Sequence, residues 1–338
     1  MKKPFGKLPD GSQAFLYTIT CGGLTAQITD LGATLVSLLV PDSAGNLADV
    51  VLGYDSAESY LQNDGYLGAT VGRNANRVAG ARFMLNGREV LLDANEGENS
   101  LHSGKDGFSH RLWEMENHTK EQVTFRIFSP NGDQGFPGNA TVRVTYAILP
   151  NSALEISYDA ISDEDTVFNL TNHTYFNMAG HDQPERAMDM ELSMPARHFT
   201  VADSASIPTG ENRPVADSPM DFRVPKPIGR DINADYDALN LQGGYDHNFE
   251  VFCNPCATLR DPESGRIMCV VTDRPGIQFY AGNYLDGAVG KGGVRYTRRG
   301  GVALETQCYP NSVNNPAWQQ PFVKAGERFI SHTKYIFR

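Results

Sequence analysis

The chain has 338 residues, 40% of them hydrophobic, which is enough for a large core in one or two domains. Its 40 acidic residues outnumber its 29 basic ones, and the net charge of −11 argues against partners such as nucleic acid or an anionic membrane surface. No stretch approaches the roughly 18 apolar residues of a membrane span. The N-terminus lacks the apolar run of a secretory signal, and an odd number of cysteines (five) favours a reduced, cytoplasmic setting.

Short segments rich in Val, Ile, Thr, Tyr and Phe recur between turn signals along the chain, and many of them alternate polar and apolar residues. In chain order, the clearest strand segments are 24–41, 122–130, 140–150, 153–162 and 266–273. Almost no segment has a sustained helical period. The pattern therefore predicts an all-β fold, a large antiparallel β-sandwich with few short helices, built as a single domain over residues 1–338.

Three further segments carry local signals. Asn86-Gly87, at the centre of 83–92, is the strongest short-range signal for a β-hairpin. Segment 56–63 could form a short helix. Segment 198–240 is rich in Pro, Asp and Asn with weak periodicity, which predicts a long excursion on the surface.

Five stretches carry more hydrogen-bonding side chains than packing requires; they are 72–80, 98–104, 169–180, 243–251 and 303–316. Each has an ordinary explanation, since lone histidines, strand-end glutamates and Asn-Gly turns are usually structural. No serine-hydrolase elbow, nucleotide-binding loop or zinc-protease motif is present. The polar side chains of the five stretches are suited to bind sugar hydroxyls, and aromatic rings such as that of Tyr175 could stack on a sugar face. A histidine paired with a carboxylate is suited to acid/base chemistry near neutral pH.

Cys253 and Cys256 have the spacing of a zinc or redox pair. The pair stands alone, with no second such pair and no helical pattern beside it. We therefore predict neither metal binding nor redox chemistry for these two cysteines.

Six motifs occur in a fixed order between positions 72 and 307: GRNANR, NSLHSG, TNHTYFN, GYDHNF, GIQFYAGN and LETQ. Each is weak alone, but together they resemble the aldose 1-epimerase (galactose mutarotase) family. The resemblance implies a β-sandwich enzyme without cofactor or metal. It would interconvert the α and β anomers of a free monosaccharide such as galactose or glucose, as a monomer or homodimer.

The resemblance also implies residue roles, position by position. Glu305 would be the general base on the C1 hydroxyl, His173 the general acid on the ring oxygen, and His102 would assist near that oxygen. The implied sugar-binding residues are Asn76, Arg77, Asp246 and Gln278, and Tyr175 would help to fix the surroundings of His173. The chain departs from the family pattern at Cys308 and Asn311, neither of which is the acid or the base.

Three different functions also remain compatible with these residues. A hexose-6-phosphate 1-epimerase would need a phosphate pocket, for which the cluster of Arg295, Arg298 and Arg299 is the candidate. A non-catalytic sugar-binding protein could share the scaffold but would not need a paired acid and base. A glycoside hydrolase would need two carboxylates flanking the bond, and Glu305 has no such partner in a matching motif.

Overall fold

The computed structural model describes residues 1–62 and 65–338, and most of its elements are short strands. The strands, in chain order, are β1 (Lys2–Lys7), β2 (Gln13–Cys21), β3 (Leu24–Thr29), β4 (Thr34–Pro41), β5 (Leu47–Asp49), β6 (Thr70–Val71), β7 (Arg77–Val78), β8 (Arg82–Leu85), β9 (Arg88–Leu91), β10 (Ser100–Leu101), β11 (Glu114–His118), β12 (Gln122–Ser129), β13 (Ala140–Leu149), β14 (Ala153–Ser162), β15 (Thr166–Val167), β16 (Thr171–Asn172), β17 (Tyr175–Phe176), β18 (Glu191–Ser193), β19 (His198–Ala202), β20 (Pro208–Pro214), β21 (Lys226–Pro227), β22 (Asp246–Glu250), β23 (Ala257–Arg260), β24 (Ile267–Thr272), β25 (Gly276–Tyr280), β26 (Ala288–Val289), β27 (Arg295–Tyr296), β28 (Val302–Gln307), β29 (Phe322–Val323) and β30 (Arg328–Phe337).

The helices are short. Those in the described ranges are α1 (Ala57–Gln62), α2 (Asp237–Gln242) and 3₁₀ turns at Ala79–Ala81, Phe108–His110, Pro184–Asp189, Ile228–Arg230, Lys291–Gly293 and Ser312–Asn314. The predicted short helix is thus present as α1; Asn63, its last predicted residue, lies outside the described residues. No helix in the described part of the chain has the length and apolar character needed to cross a membrane.

Three large sheets dominate the described structure, and their paired strands are antiparallel. The first holds β1 to β5 in sequence order, and the second, of nine strands, has the order β11-β12-β13-β14-β30-β24-β23-β18-β21. The third has the order β17-β28-β25-β22-β19-β20. These sheets confirm the predicted all-β fold and antiparallel sandwich, and β8 with β9 forms the hairpin predicted at Asn86-Gly87.

The core lies between the sheets. Every second residue of β13 is buried, as expected for a strand with one face in the core and one toward solvent. One cluster of buried apolar side chains draws Ile19 from the first sheet, Val142 from the second and Phe249 from the third. All three sheets therefore contribute to one shared core.

Two segment predictions differ from the structure. Segment 24–41 forms two strands, β3 and β4, because the chain turns between them at Gly32, whose φ of +66° suits glycine. The surface excursion predicted for 198–240 is correct only in part, since most of its residues are exposed or half-buried but the segment also contributes to a sheet and to the core. Its strands β19 and β20 extend the third sheet, and Met220 and Phe222 are buried in the main core. Polar residues between short apolar anchors concealed this burial.

Candidate active site

Three of the implied site residues lie on one face of the third sheet. Asp246 is on β22, Gln278 on β25 and Glu305 on β28, and these strands are neighbours. Gln278 stands directly opposite Glu305 in the antiparallel register. Because strand side chains alternate, the next residues, such as Leu304, point to the opposite face and join the main core. The sheet thus presents its polar row away from the core.

Two loops bring histidines over this row. His173 follows β16, and its Nε2 lies 3.6 Å from Oε1 of Glu305. His102 follows β10, and its ring centroid is 5.4 Å from that of His173. One potential ligand or proton-carrying atom from each of His102, His173 and Glu305 lies within 4.8 Å of the others. The three residues implied as catalytic are therefore brought together.

The tautomer of His102 is set by Asn76. The backbone N–H of Asn76 donates to Nδ1 of His102 over 3.2 Å, and the backbone N–H of His102 donates back to the Asn76 carbonyl over 3.1 Å. Since Nδ1 accepts a hydrogen bond, a neutral His102 ring carries its proton on Nε2. His102 therefore presents an N–H donor.

The Nε2–H tautomer of His102 disfavours binding of a metal ion at this cluster. His102, His173 and Glu305 are spaced like a set of metal ligands. A metal ion, however, needs the lone pair of Nε2, which the proton on His102 occupies. The donor set fits proton transfer better than it fits a metal ion.

Arg77 is held by an ion pair that the motifs did not indicate. Its Nε and Nη2 donate to the two carboxylate oxygens of Glu96 over 2.6 and 2.7 Å. Its charge still acts on the two site carboxyl groups, because it opposes the rise in the pKa of both Asp246 and Glu305. No sequence signal marks Glu96, since its contact crosses 19 positions.

The loop that carries Asn76 and Arg77 is anchored by Arg73. This side chain is 1% exposed, and its guanidinium donates to the carbonyls of Ser129, Pro137 and Gly138. The motif GRNANR predicts a loop at 72–80 that presents Asn76 and Arg77. In the structure Arg73 anchors this loop, whereas Arg77 lies close enough to Asp246 and Glu305 to affect their pKa values.

Asp246 and Gln278 form a hydrogen-bonded pair on the sheet. Nε2 of Gln278 donates to Oδ1 of Asp246 over 2.7 Å. Burial raises the pKa of Asp246, while Arg77 and Gln278 oppose that rise. The pair offers a carboxyl group and an amide oxygen on one surface, which suits the alternating donors and acceptors of a polyol.

Aromatic rings surround His173. The ring of Tyr175 is buried, 5.0 Å from His173 and 5.9 Å from Tyr280, so it lies against the histidine. On another side, the ring of Tyr66 lies 5.8 Å from His173 and 4.6 Å from His102. Tyr66 belongs to none of the six motifs, and only its position shortly before GRNANR could have suggested it.

Burial dominates the electrostatics of the cluster. It raises the pKa of Glu305 well above the usual value, an effect that Asp246 reinforces. Burial also lowers the pKa of His173 to about 4, and it lowers the pKa of His102 well below 6.5 with help from His173 and Arg77. The protein alone therefore favours a proton on Glu305 and two neutral histidines.

Several buried polar atoms of the cluster lack a hydrogen-bond partner in the described structure. Nδ1 of His173, Oε2 of Glu305 and Oε1 of Gln278 have no hydrogen-bond partner among the residues that the structure describes. A buried polar atom without a partner costs about 1–3 kcal/mol. Three such atoms in one cluster mark it as a candidate binding site.

The arginines of the candidate phosphate pocket hydrogen-bond to nearby loops. The side chains of Arg298 and Arg299 both donate to the carbonyl of Gly243, and Arg299 also donates to the side chains of Asn233 and Asn283. Gly243 lies three residues before Asp246. These arginines brace the loop that leads into the site, and Arg295 donates to the carbonyl of Gly287 at an exposed position.

Comparison with known proteins agrees with this fold and shows the family. The family model for aldose 1-epimerase matches residues 16–336. The galactose mutarotase of Mus musculus is 40% identical over 98% of this chain and 96% of its own length, and the aldose 1-epimerase of Haemophilus influenzae is 38% identical over 98% and 97%. The solved structure of an aldose epimerase homologue from C. elegans matches with a TM-score of 0.89 at 30% identity, covering 96% of this chain and 99% of that chain.

The β-sandwich, its buried proton-carrying cluster and these relatives define an enzyme, a carbohydrate isomerase. The chain belongs to the aldose 1-epimerase family. The resemblance carried by six ordered motifs is thereby confirmed at the level of family, fold and enzyme class.

Proposed function

We propose that this protein catalyses 1-epimerisation of free aldohexoses such as galactose and glucose. The observation that carries the proposal is the pairing of two buried proton carriers, with Nε2 of His173 lying 3.6 Å from Oε1 of Glu305. His173 is 6% exposed and Glu305 2% exposed, and each keeps one polar atom free of partners in the described structure. The names of the relatives, galactose mutarotase and aldose 1-epimerase, support the same reaction.

The chemistry needs two proton transfers. Glu305 accepts the proton of the C1 hydroxyl as the C1–oxygen double bond forms and the bond from C1 to the ring oxygen breaks. His173 gives its proton to that ring oxygen. Rotation about C1–C2 presents the other face of the aldehyde, and closure returns both protons. A positioned acid and base contribute about 10²–10⁴-fold each.

The remaining groups hold the sugar while C1 turns. Asp246 and Gln278 bind hydroxyls from the sheet, and Arg77 and Asn76 bind from the loop above it. His102 donates its Nε2 proton as a hydrogen bond near the ring oxygen. Tyr175 lies against His173 and keeps water from that side of the ring.

The protonation states differ from the simplest assignment of carboxylate and imidazolium. Burial favours the proton on Glu305 and a neutral His173. Both arrangements hold one proton in the pair, and a close pair titrates as a unit. The assigned ring opening uses the arrangement with the proton on His173, which the pair reaches by passing its one proton from Glu305 to His173 across the 3.6 Å between them, and ring closure reverses the transfers.

The shared proton predicts the pH profile. We expect kcat/KM to fall below about pH 4, where His173 takes up a second proton and no acceptor remains. It should fall again at a pH well above the ordinary carboxyl pKa, where Glu305 loses the only proton and no donor remains. Polarimetry across this pH range, corrected for the uncatalysed rate at each pH, measures both declines in kcat/KM. A decline that begins as pH drops through 6.5 would contradict a buried His173.

The direct test is polarimetry of freshly dissolved α-D-galactose and α-D-glucose with purified protein. The optical rotation should relax much faster than in buffer alone. Relaxation no faster than the uncatalysed control would refute the proposed reaction, and binding without acceleration would favour a non-catalytic sugar-binding protein.

Two more substrates distinguish the epimerase of free sugars from related enzymes. Glucose 6-phosphate should be a poorer substrate than glucose, since Arg298 and Arg299 are engaged by Gly243. A preference for the phosphorylated sugar would favour a hexose-6-phosphate 1-epimerase. Release of an aryl alcohol from an aryl galactoside would favour a glycoside hydrolase.

We further propose that residues 1–338 act as one domain, as a monomer or homodimer in the cytoplasm. A family model that matches residues 16–336 as a single unit supports one domain. Five free cysteines support a reducing compartment. Burial raises the pKa of Cys256 to about 12, which disfavours redox chemistry with Cys253.

A further inference from the structure

Among the residues that the structure describes, no other residue gives the ring of His173 a hydrogen bond that would orient it. Its Nδ1 has no partner among the described residues, and its Nε2 faces Glu305 at 3.6 Å. A histidine that serves in catalysis usually has its second nitrogen fixed by a carboxylate or carbonyl. The packing of neighbouring rings must therefore set the orientation of His173.

Tyr66 is the ring that touches both histidines of the cluster from outside the sheet. Its centroid lies 4.6 Å from His102 and 5.8 Å from His173. The ring of His110 packs on it from another side at 5.7 Å, nearly edge-on. Since Tyr66 is only half-buried while both catalytic histidines are buried, it separates them from solvent.

The turn that carries Tyr66 is fixed to the backbone of His173. The N–H of Gly68 donates to the carbonyl of His173 over 3.0 Å, and the N–H of His173 donates to the carbonyl of Ala69 over 2.9 Å. The side-chain amide of Asn172 donates to the carbonyl of Gly68 over 2.8 Å. The turn and the histidine therefore keep one fixed relation.

The conformation of this turn is demanding. Tyr66 has a φ of +53°, which is uncommon for a residue with a side chain, and the N–H of Ala69 donates to its carbonyl over 2.9 Å. Gly68 has a φ of +73°, and a Cβ there would lie 2.1 Å from the carbonyl oxygen of Leu35. Leu67 is buried in the same aromatic cluster as Tyr175. The backbone of this turn is therefore closely fixed at Tyr66 and Gly68, and it sets where the ring of Tyr66 lies.

We propose that Tyr66 is a positioning residue, whose ring holds the imidazoles of His102 and His173 in register with Glu305 and screens them from water. This deepens the proposed epimerase function and rests on it. The contribution proposed is that of the ring, which Tyr66→Phe retains. Loss of the ring lets the unanchored His173 imidazole turn away from the ring oxygen of the sugar.

The test compares Tyr66→Leu, Tyr66→Phe and Tyr60→Leu. Tyr66→Leu should lower kcat about 10- to 100-fold with KM changed less than about threefold, because misplacement of a proton donor by about 1 Å costs on this scale. Tyr66→Phe should keep kcat within about threefold of wild type. Tyr60 belongs to the same segment and packs on Phe5 and Tyr54 but on neither histidine, so Tyr60→Leu controls for local loosening.

A second readout does not depend on turnover. The groups that face the His173 ring are Glu305, His102, Tyr175 and Tyr280, with Tyr66 between this cluster and His110. Histidine titration by NMR should move the His173 transition upward from about 4 toward its usual value in Tyr66→Leu, since water then reaches the ring. Tyr66→Met replaces Tyr66→Leu if the latter does not fold, as judged by thermal unfolding.

Three outcomes overturn the inference. Tyr66→Leu could match wild type in kcat and in His173 titration, Tyr66→Phe could be as slow as Tyr66→Leu, or Tyr60→Leu could cause an equal loss of kcat. An inactive wild-type protein would instead refute the proposed function, and the two failures are thereby distinguishable.

Discussion

Replacing Glu305 with glutamine should lower kcat for galactose mutarotation about 10³-fold, within the range that a positioned acid or base provides. Glutamine fills the same space beside Gln278 on the strand face, but its amide can neither take nor carry the shared proton. The sugar can still bind through Asp246, Gln278 and Arg77, so KM should change much less than kcat. Polarimetric progress curves at several galactose concentrations separate the two constants.

The same substitution should not weaken the fold. Since burial raises the Glu305 pKa, the native state binds this proton more tightly than the unfolded chain does. Stability is therefore lost as pH rises from the ordinary carboxyl pKa to the raised one, and Glu305→Gln removes that loss. Thermal unfolding at neutral pH should give a Tm at or above wild type.

A matched control is Glu155→Gln, on β14 of the nine-stranded sheet, where Glu155 pairs with Lys334. This strand glutamate lies outside the site, and its variant should keep wild-type kcat. If Glu305→Gln retains a rate within about tenfold of wild type, Glu305 is not the base.

Much of the fold could be predicted from the sequence, because strands with one face in the core alternate polar and apolar residues. Strands β12, β13 and β14 follow the segments predicted from that alternation almost residue for residue. The third sheet was harder to recognise, since β25 and β28 are buried on both faces. Gln278 and Glu305 are buried polar residues in these strands, and they interrupt the apolar pattern that would otherwise mark a buried strand.

The motifs pointed to Glu305, His173 and His102 because each lies at a fixed place in one of them, and the structure places all three in one cluster. Partners outside the motifs could not be found in this way. Glu96 meets Arg77 through folding of the chain, and Tyr66 reaches the histidines from a turn with no motif of its own. Contacts of this kind depend on tertiary geometry.

The protonation states of Glu305, His173 and His102 likewise could not be predicted from the sequence. Ordinary pKa values assign a carboxylate to Glu305 and a partly charged imidazole to His173. Burial reverses both preferences, and the backbone of Asn76 decides which nitrogen of His102 carries the proton. These properties depend on solvent exclusion and hydrogen-bond direction, which residue order alone does not specify.

Replacing His173 with asparagine should lower kcat about 10²- to 10⁴-fold, because the ring oxygen of the sugar then loses its proton donor. His118→Asn is the control: this histidine lies on β11, and its Nε2 hydrogen-bonds to the carbonyl of Thr18 over 3.0 Å. That variant should keep wild-type activity. A His173→Asn protein that is folded and nearly as fast as wild type would remove His173 from the mechanism.

The double variant of His173→Asn with Glu305→Gln gives the sharper result. Independent groups would multiply their losses, whereas groups that act as one unit do not. Because the two side chains hold a single proton between them at 3.6 Å, loss of either already leaves the pair without a complete donor and acceptor. The double variant should therefore be about as slow as the slower single variant, and a fully multiplicative loss would show that the two groups act separately.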